Sequence, residues 1–89
     1  MKKSEIIAAI ELKVNANYSI WQIGITQNVE LRKSQHKDTD GLNVSCWDQW
    51  QADSLPDARE IEADFINKGM KGGAGGDLSP QKTTFVYVF

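Results

Sequence analysis

Apolar and polar positions follow two periods along this chain. Ile6, Ile7, Ile10 and Val14 recur at helical spacing, and with Ser4 as a cap they predict a first helix over about residues 5 to 13. Asn15-Ala16-Asn17 is a turn. Tyr18 to Thr26 is rich in aromatic and β-branched residues and predicts a strand. Gln27-Asn28 interrupts it, and Asn28 suits the N-cap of a short helix from Val29 to about Lys37. After a polar loop from Lys37 to Gly41, Leu42, Val44 and Cys46 alternate with polar residues, so a second strand is expected over about residues 43 to 52. Ser54-Leu55-Pro56-Asp57 is the clearest helix start: Ser54 can cap, Asp57 can reach back, and proline is tolerated in a first turn. Ala58, Ile61 and Phe65 form the buried stripe of that helix, near 55 to 68, and Gly69 stands in the C′ position that ends it. Thr83 to Phe89 predicts the last strand.

These elements make an α+β fold. A small three-stranded, mainly antiparallel sheet is expected from about residues 18 to 26, 43 to 52 and 83 to 89, with three helices around it. Eighty-nine residues suffice for one domain, with an N-terminal packing helix near 4 to 14 and the rest of the core from 18 to 89. An exposed final strand would invite pairing with a second copy, which leaves the oligomeric state open. Lys71-Gly72-Gly73-Ala74-Gly75-Gly76-Asp77 lacks the Gly-Lys-Ser/Thr ending and the strand-before, helix-after setting of a P-loop. It reads as a connector crossing near the sheet or as a substrate-facing flap.

Composition narrows the picture only slightly. A hydrophobic content of 40% and a charged content of 25% are those of an ordinary water-exposed globular chain. The single Cys46 allows no internal disulfide, suits a reducing compartment and is expected as a small core hydrophobe. No apolar run is long enough to span a membrane, and Met1-Lys2-Lys3 leads into Ser4-Glu5 instead of a signal-peptide core, so a cytoplasmic location is expected. A net charge of −2 counts against broad, sequence-independent nucleic-acid binding but leaves room for a local cationic site. Trp47 and Trp50 have opposite parity in the second strand, so one is expected on the outer face or in a groove; core or edge packing is the expected role of each, with base stacking as the alternative.

The candidate chemistry lies at the corner between the Tyr18 strand and the helix after it. Gly24 near the end of a strand costs stability unless a neighbour needs the space of its missing side chain. Val29, Arg32 and His36 fall at i, i+3 and i+7, which sets a guanidinium one turn from an imidazole on one helix face. A cation and a titratable ring at such a corner suit a bound phosphate. Lys33 and Lys37 lie on the same helix. Glu62 sits at the margin of the later helix's apolar stripe, where its carboxylate can lie along the surface or enter a cleft.

Gln22-Ile23-Gly24-Ile25-Thr26, with Arg32 eight residues after the glycine and His36 four further on, resembles the Tyr-Ile-Gly half of the GIY-YIG nuclease motif, and the resemblance covers roughly Tyr18 to Phe89. Asp57-Ala58-Arg59-Glu60-Ile61-Glu62 is similar to the family's later helix with its metal-binding glutamate, which maps to Glu62. The family's first strand, with its Gly-Ile-Tyr motif, has no counterpart before Tyr18. Phe85-Val86-Tyr87-Val88-Phe89 can fill that place with Tyr87 as the tyrosine, in a circularly permuted order. The resemblance therefore implies that Tyr87 lies near Gly24, Arg32 and Glu62. It also implies a phosphodiesterase or endonuclease in which Glu62 holds one divalent ion, most simply Mg²⁺. Arg32 would bind the scissile phosphate, Tyr87 or His36 would orient or deprotonate the water, and Gly24, Thr26 and Lys33 would line the path of a nucleic acid, with DNA favoured.

The chain departs from the family at three places. Gln22 stands where the motif has a tyrosine, and an amide cannot do a phenol's acid–base work. Phe85 replaces the glycine of the first motif, and the family's late asparagine has no counterpart. Two function classes follow. One is a metal-dependent nuclease; the other is a module that keeps the scaffold without the chemistry and binds nucleic acid or a protein partner.

Overall fold

The fold is built around the last strand. In the computed structural model, which describes residues 1–72 and 78–89, the elements run α1 (Lys3–Val14), β1 (Gln22–Thr26), α2 (Val29–Ser34), β2 (Asp48–Gln51), α3 (Leu55–Asn67), β3 (Lys71–Gly72) and β4 (Phe85–Val88). The sheet order is β2-β4-β1-β3. β4 is antiparallel to both β1 and β2, while β3 is parallel to β1. The α+β class and the three helices are as expected, but the sheet has four strands and is mixed.

Two expectations about the sheet are therefore corrected. The final strand is central, hydrogen-bonded on both sides, and offers no free edge for a second copy. The additional strand, β3, escapes the hydrophobic pattern because Lys71-Gly72 has none. It forms because α3 ends in a glycine-dependent reversal: Gly69 adopts φ +116°, Met70 N–H donates to the Phe65 carbonyl at 3.0 Å, and Lys71 N–H then reaches the Trp21 carbonyl at 3.0 Å. The connector-or-flap reading of Lys71 to Asp77 otherwise falls on residues 73–77, outside the described residues.

Local chemistry explains the other shifts in element boundaries. Helix α1 starts before Ser4, with the Lys2 N–H donating to Glu5 Oε1 at 3.0 Å, so Ser4 lies inside the helix instead of capping it. Tyr18–Ile20 is a 3₁₀ turn closed by Trp21 N–H to the Tyr18 carbonyl, so β1 begins only at Gln22. Asn43 accepts from Ser45 N–H at 2.9 Å, which bends the chain and delays β2 to Asp48. Cys46 is consequently exposed in a turn and is not a core residue. The caps at Asn28 and Ser54 form as the sequence predicts, accepting from Leu31 N–H at 3.1 Å and from Asp57 N–H at 3.2 Å.

One sheet face carries the core. Ile23 and Ile25 of β1 with Val86 and Val88 of β4 meet Ile6, Ile10 and Val14 of α1 and Ala58, Ile61 and Phe65 of α3. Trp50 packs against this cluster. The opposite face carries Gly24, Tyr87 and Phe89, and Trp47 covers it. The alternation along β1 and β4 thus separates a packing face from a polar-aromatic one. Among the described residues, no helix is long and apolar enough to cross a membrane.

Candidate active site

Tyr87 is paired directly with Gly24 across the β1–β4 ladder. Its phenol lies over the glycine, and a Cβ added at Gly24 would overlap the ring and its oxygen. This is the reason for a glycine in the middle of a buried strand: the neighbouring ring uses the vacant space. Replacing Gly24 by alanine is expected to displace Tyr87 and to cost about 1–3 kcal/mol, the usual range for overpacking a tight site. Urea denaturation checks this, and the cost should shrink when Tyr87 is also replaced by alanine, a less-than-additive double-mutant cycle.

The phenol is buried, at 3% exposure, yet its oxygen is bonded: His36 Nε2 lies 2.8 Å from Tyr87 Oη. His36 reaches it because α2 does not continue as a plain α-helix. Gln35–Thr39 forms a π turn, with Asp40 N–H donating to the Gln35 carbonyl at 3.0 Å. That turn also brings Asp40 Oδ2 to 3.1 Å from His36 Nδ1. The pair is within ion-pair distance, although among the described residues no hydrogen bond of aligned geometry reaches that nitrogen.

Aromatic rings wall the imidazole. Trp47 stacks on Tyr87 with centroids 4.4 Å apart and planes 7° from parallel, and Phe89 lies 4.8 Å from the His36 ring. The expected packing role of Trp47 is thus met on the outer sheet face, against the site itself.

Arg32, His36, Glu62 and Tyr87 line one small pocket together with Gly24 and Gln22. Its volume is about 80 Å³, room for a few water molecules. β3 pairs only with Gln22 and Ile23, so among the described residues the β1 edge beyond them has no strand partner. Glu62 from α3 lines the pocket beside Gly24 and Ile25 of that edge. Its Oε2 is buried and, among the described residues, has no hydrogen-bond partner.

Burial dominates the electrostatics. It raises the Glu62 carboxyl above its ordinary value, against the opposing pull of Arg59 and Arg32. It lowers the His36 imidazole, helped by Arg32 and resisted by Asp40. It raises the Tyr87 phenol, which Arg32 partly offsets and Glu62 and Asp40 reinforce. At neutral pH the imidazole is therefore neutral, the form that can exchange a proton.

Two further sequence candidates stand apart. Thr26 is buried, and its hydroxyl is engaged at the strand-to-helix corner, 3.1 Å from both the Asn28 N–H and the Asn28 carbonyl. It lines the neighbouring hollow with Leu31, Arg32 and Gln35 instead of the Glu62 pocket. Lys33 is exposed, with Nζ 5.9 Å from the centre of the Trp47 ring, and shares a groove of about 420 Å³ with Lys37 and residues 42–45. Sequence reasoning missed Asp40 and Phe89 as neighbours of His36. The i, i+4 spacing of His36 and Asp40 was the available signal for the first.

Glu62 is the carboxylate that lines this pocket. Among the described residues no group of three or more His, Cys, Asp or Glu side chains gathers in a metal-holding cluster. A lone carboxylate with an unpartnered buried oxygen still fits an ion such as Mg²⁺, which retains several waters and shares substrate oxygens. Against protein-family models, curated proteins and solved structures, the chain has no match.

Proposed function

We propose that this chain is a GIY-YIG-like phosphodiesterase acting on nucleic acid, with the first motif strand at its C-terminus. What carries the reading is the convergence of Arg32, His36, Glu62 and Tyr87 on Gly24, from four separate elements, around a buried carboxylate oxygen that has no partner among the described residues. Hydrolysis of a phosphodiester needs an oriented water, positive charge on the phosphate and a route for the water's proton. Arg32 supplies a guanidinium that grips two phosphate oxygens, and the hydrogen-bonded Tyr87–His36 pair supplies the proton route. Glu62 would hold a divalent ion, which supplies charge neutralisation at the phosphate when bound. The Lys33–Lys37 groove beside Trp47 suits the flanking strand, with DNA as the favoured substrate.

Gln22 favours the second reading, a scaffold that binds nucleic acid or a protein without cleaving. It lines the pocket where the family has a phenol. Incubating labelled branched, single-stranded and duplex DNA with the protein and Mg²⁺ or Mn²⁺ separates the two. Cleavage is expected, and Arg32→Ala should lower kcat/KM by about 10–100-fold, the loss of a charged hydrogen bond to the phosphate. Salt-sensitive binding without cleavage on any substrate would establish the binding module instead.

A further inference from the structure

Asp40 belongs to no motif, yet the π turn holds it against the side of His36 that faces away from the phenol. His36 Nδ1 lies 3.1 Å from Asp40 Oδ2, and Nε2 lies 2.8 Å from Tyr87 Oη. Three groups from one turn and one strand therefore form a line, carboxylate to imidazole to phenol.

An anionic oxygen 3.1 Å from a ring nitrogen repels that nitrogen's lone pair and attracts an N–H. The other nitrogen is then the acceptor, and among the described residues the polar group bonded to it is a phenol that can donate. We propose that Asp40 is a positioning residue that keeps the neutral His36 protonated on Nδ1, so that Nε2 accepts the proton of Tyr87. Among the described residues, two further charged groups line the same pocket as the ring. Arg32 from α2 and Glu62 from α3 face the pocket side of the ring, while Trp47 and Phe89 present uncharged rings.

The consequence for chemistry rests on the hydrolytic reading. With Nε2 as acceptor, Tyr87 Oη offers lone pairs to a water in the pocket. As the water oxygen bonds to phosphorus, its proton moves to Tyr87 Oη and the Tyr87 proton moves to His36 Nε2. The bond to the leaving oxygen breaks, and that oxygen takes a proton from solvent. The two transfers run together, so no free phenolate forms on a phenol that burial keeps protonated. Asp40 then faces the imidazolium, much as the carboxylate does in the Ser-His-Asp arrangement.

His36 is the only histidine, so its ring ¹⁵N resonances can be assigned without ambiguity. Long-range ¹H–¹⁵N NMR of the full chain near pH 7.5, without metal, reads the tautomer directly. The expected spectrum has a protonated Nδ1 and an unprotonated Nε2 in wild type, shifting towards Nε2–H in Asp40→Ala. A wild-type Nε2–H tautomer overturns the proposal whether or not the variant folds, and so does an unchanged tautomer in a folded Asp40→Ala. Kinetics then report the consequence. Asp40→Ala is expected to lower kcat by about 100-fold with KM unchanged, the lower end of what a positioned proton acceptor contributes. If wild type cleaves nothing, the hydrolytic reading falls while the tautomer still decides the role of Asp40.

Discussion

Glu62→Gln is expected to remove cleavage and leave the fold as stable as before or more so. The glutamine keeps the shape of the side chain and loses its charge. As the carboxylate that would hold the divalent ion, Glu62 should account for about 10²–10³-fold in kcat, the range for losing one preorganised electrostatic stabiliser. Stability should move the other way, because the carboxylate is half-buried, its Oε2 has no partner among the described residues, and burial raises its pKa. A carboxyl whose folded pKa lies above its unfolded value binds more protons in the native state between the two. Stability then falls as pH rises through that window, and the penalty is fully present above the folded pKa. In metal-free buffer, the Tm of Glu62→Gln should equal or exceed that of wild type at pH 7, and the gap should close as pH falls through the carboxylate range. A residue that costs stability and is indispensable to turnover is what a functional site produces. A merely structural glutamate would give a less stable variant.

Phe65→Ala carries the largest expected loss of stability. Phe65 is fully buried in the cluster joining α1, α3 and the sheet, and its ring meets Tyr18 at 6.3 Å and lies under the Lys68 ammonium at 4.8 Å. Removing such a ring costs about 3–5 kcal/mol, from lost transfer energy and the cavity left behind. A domain of this size has about 5–15 kcal/mol in all, so the variant should unfold at a much lower urea concentration. Leu12→Ala is the control. That leucine is 85% exposed on α1, and its truncation should leave the urea midpoint nearly unchanged.

What the residues disclose in advance follows from how local each feature is. Asn28 and Ser54 announce their helices because a cap is a contact between near neighbours. The buried stripes of α1 and α3 were legible from spacing alone. The partnership of Tyr87 with Gly24 is long-range, and composition does not reveal it; it came from aligning two short motifs in permuted order, and the β1–β4 register places the two residues opposite each other. Three features stayed hidden because tertiary geometry sets them. β3 is two residues without strand propensity, paired only because Gly69 turns the chain onto the β1 edge. The late start of β2 reflects one asparagine side chain competing for a backbone N–H. The central position of β4 follows from its flanking by β1 and β2, which no pattern within Thr83 to Phe89 encodes.

The pocket joins residues of different kinds for a common reason. Gly24 makes room, Tyr87 fills it, and His36 binds the phenol from a π turn that departs from the preceding helix. Burial favours the neutral imidazole, and one carboxylate oxygen has no partner among the described residues. Such an arrangement is expensive to maintain unless a ligand completes it.

Phosphodiester hydrolysis by these groups is the proposed function. Its most direct test is single-turnover cleavage of end-labelled DNA with Mg²⁺, comparing wild type with Glu62→Gln after circular dichroism has shown both to be folded. Wild-type cleavage that falls at least a hundredfold in the variant is the expected result. Cleavage retained by Glu62→Gln, or no cleavage by wild type on branched, single-stranded or duplex DNA, would contradict it.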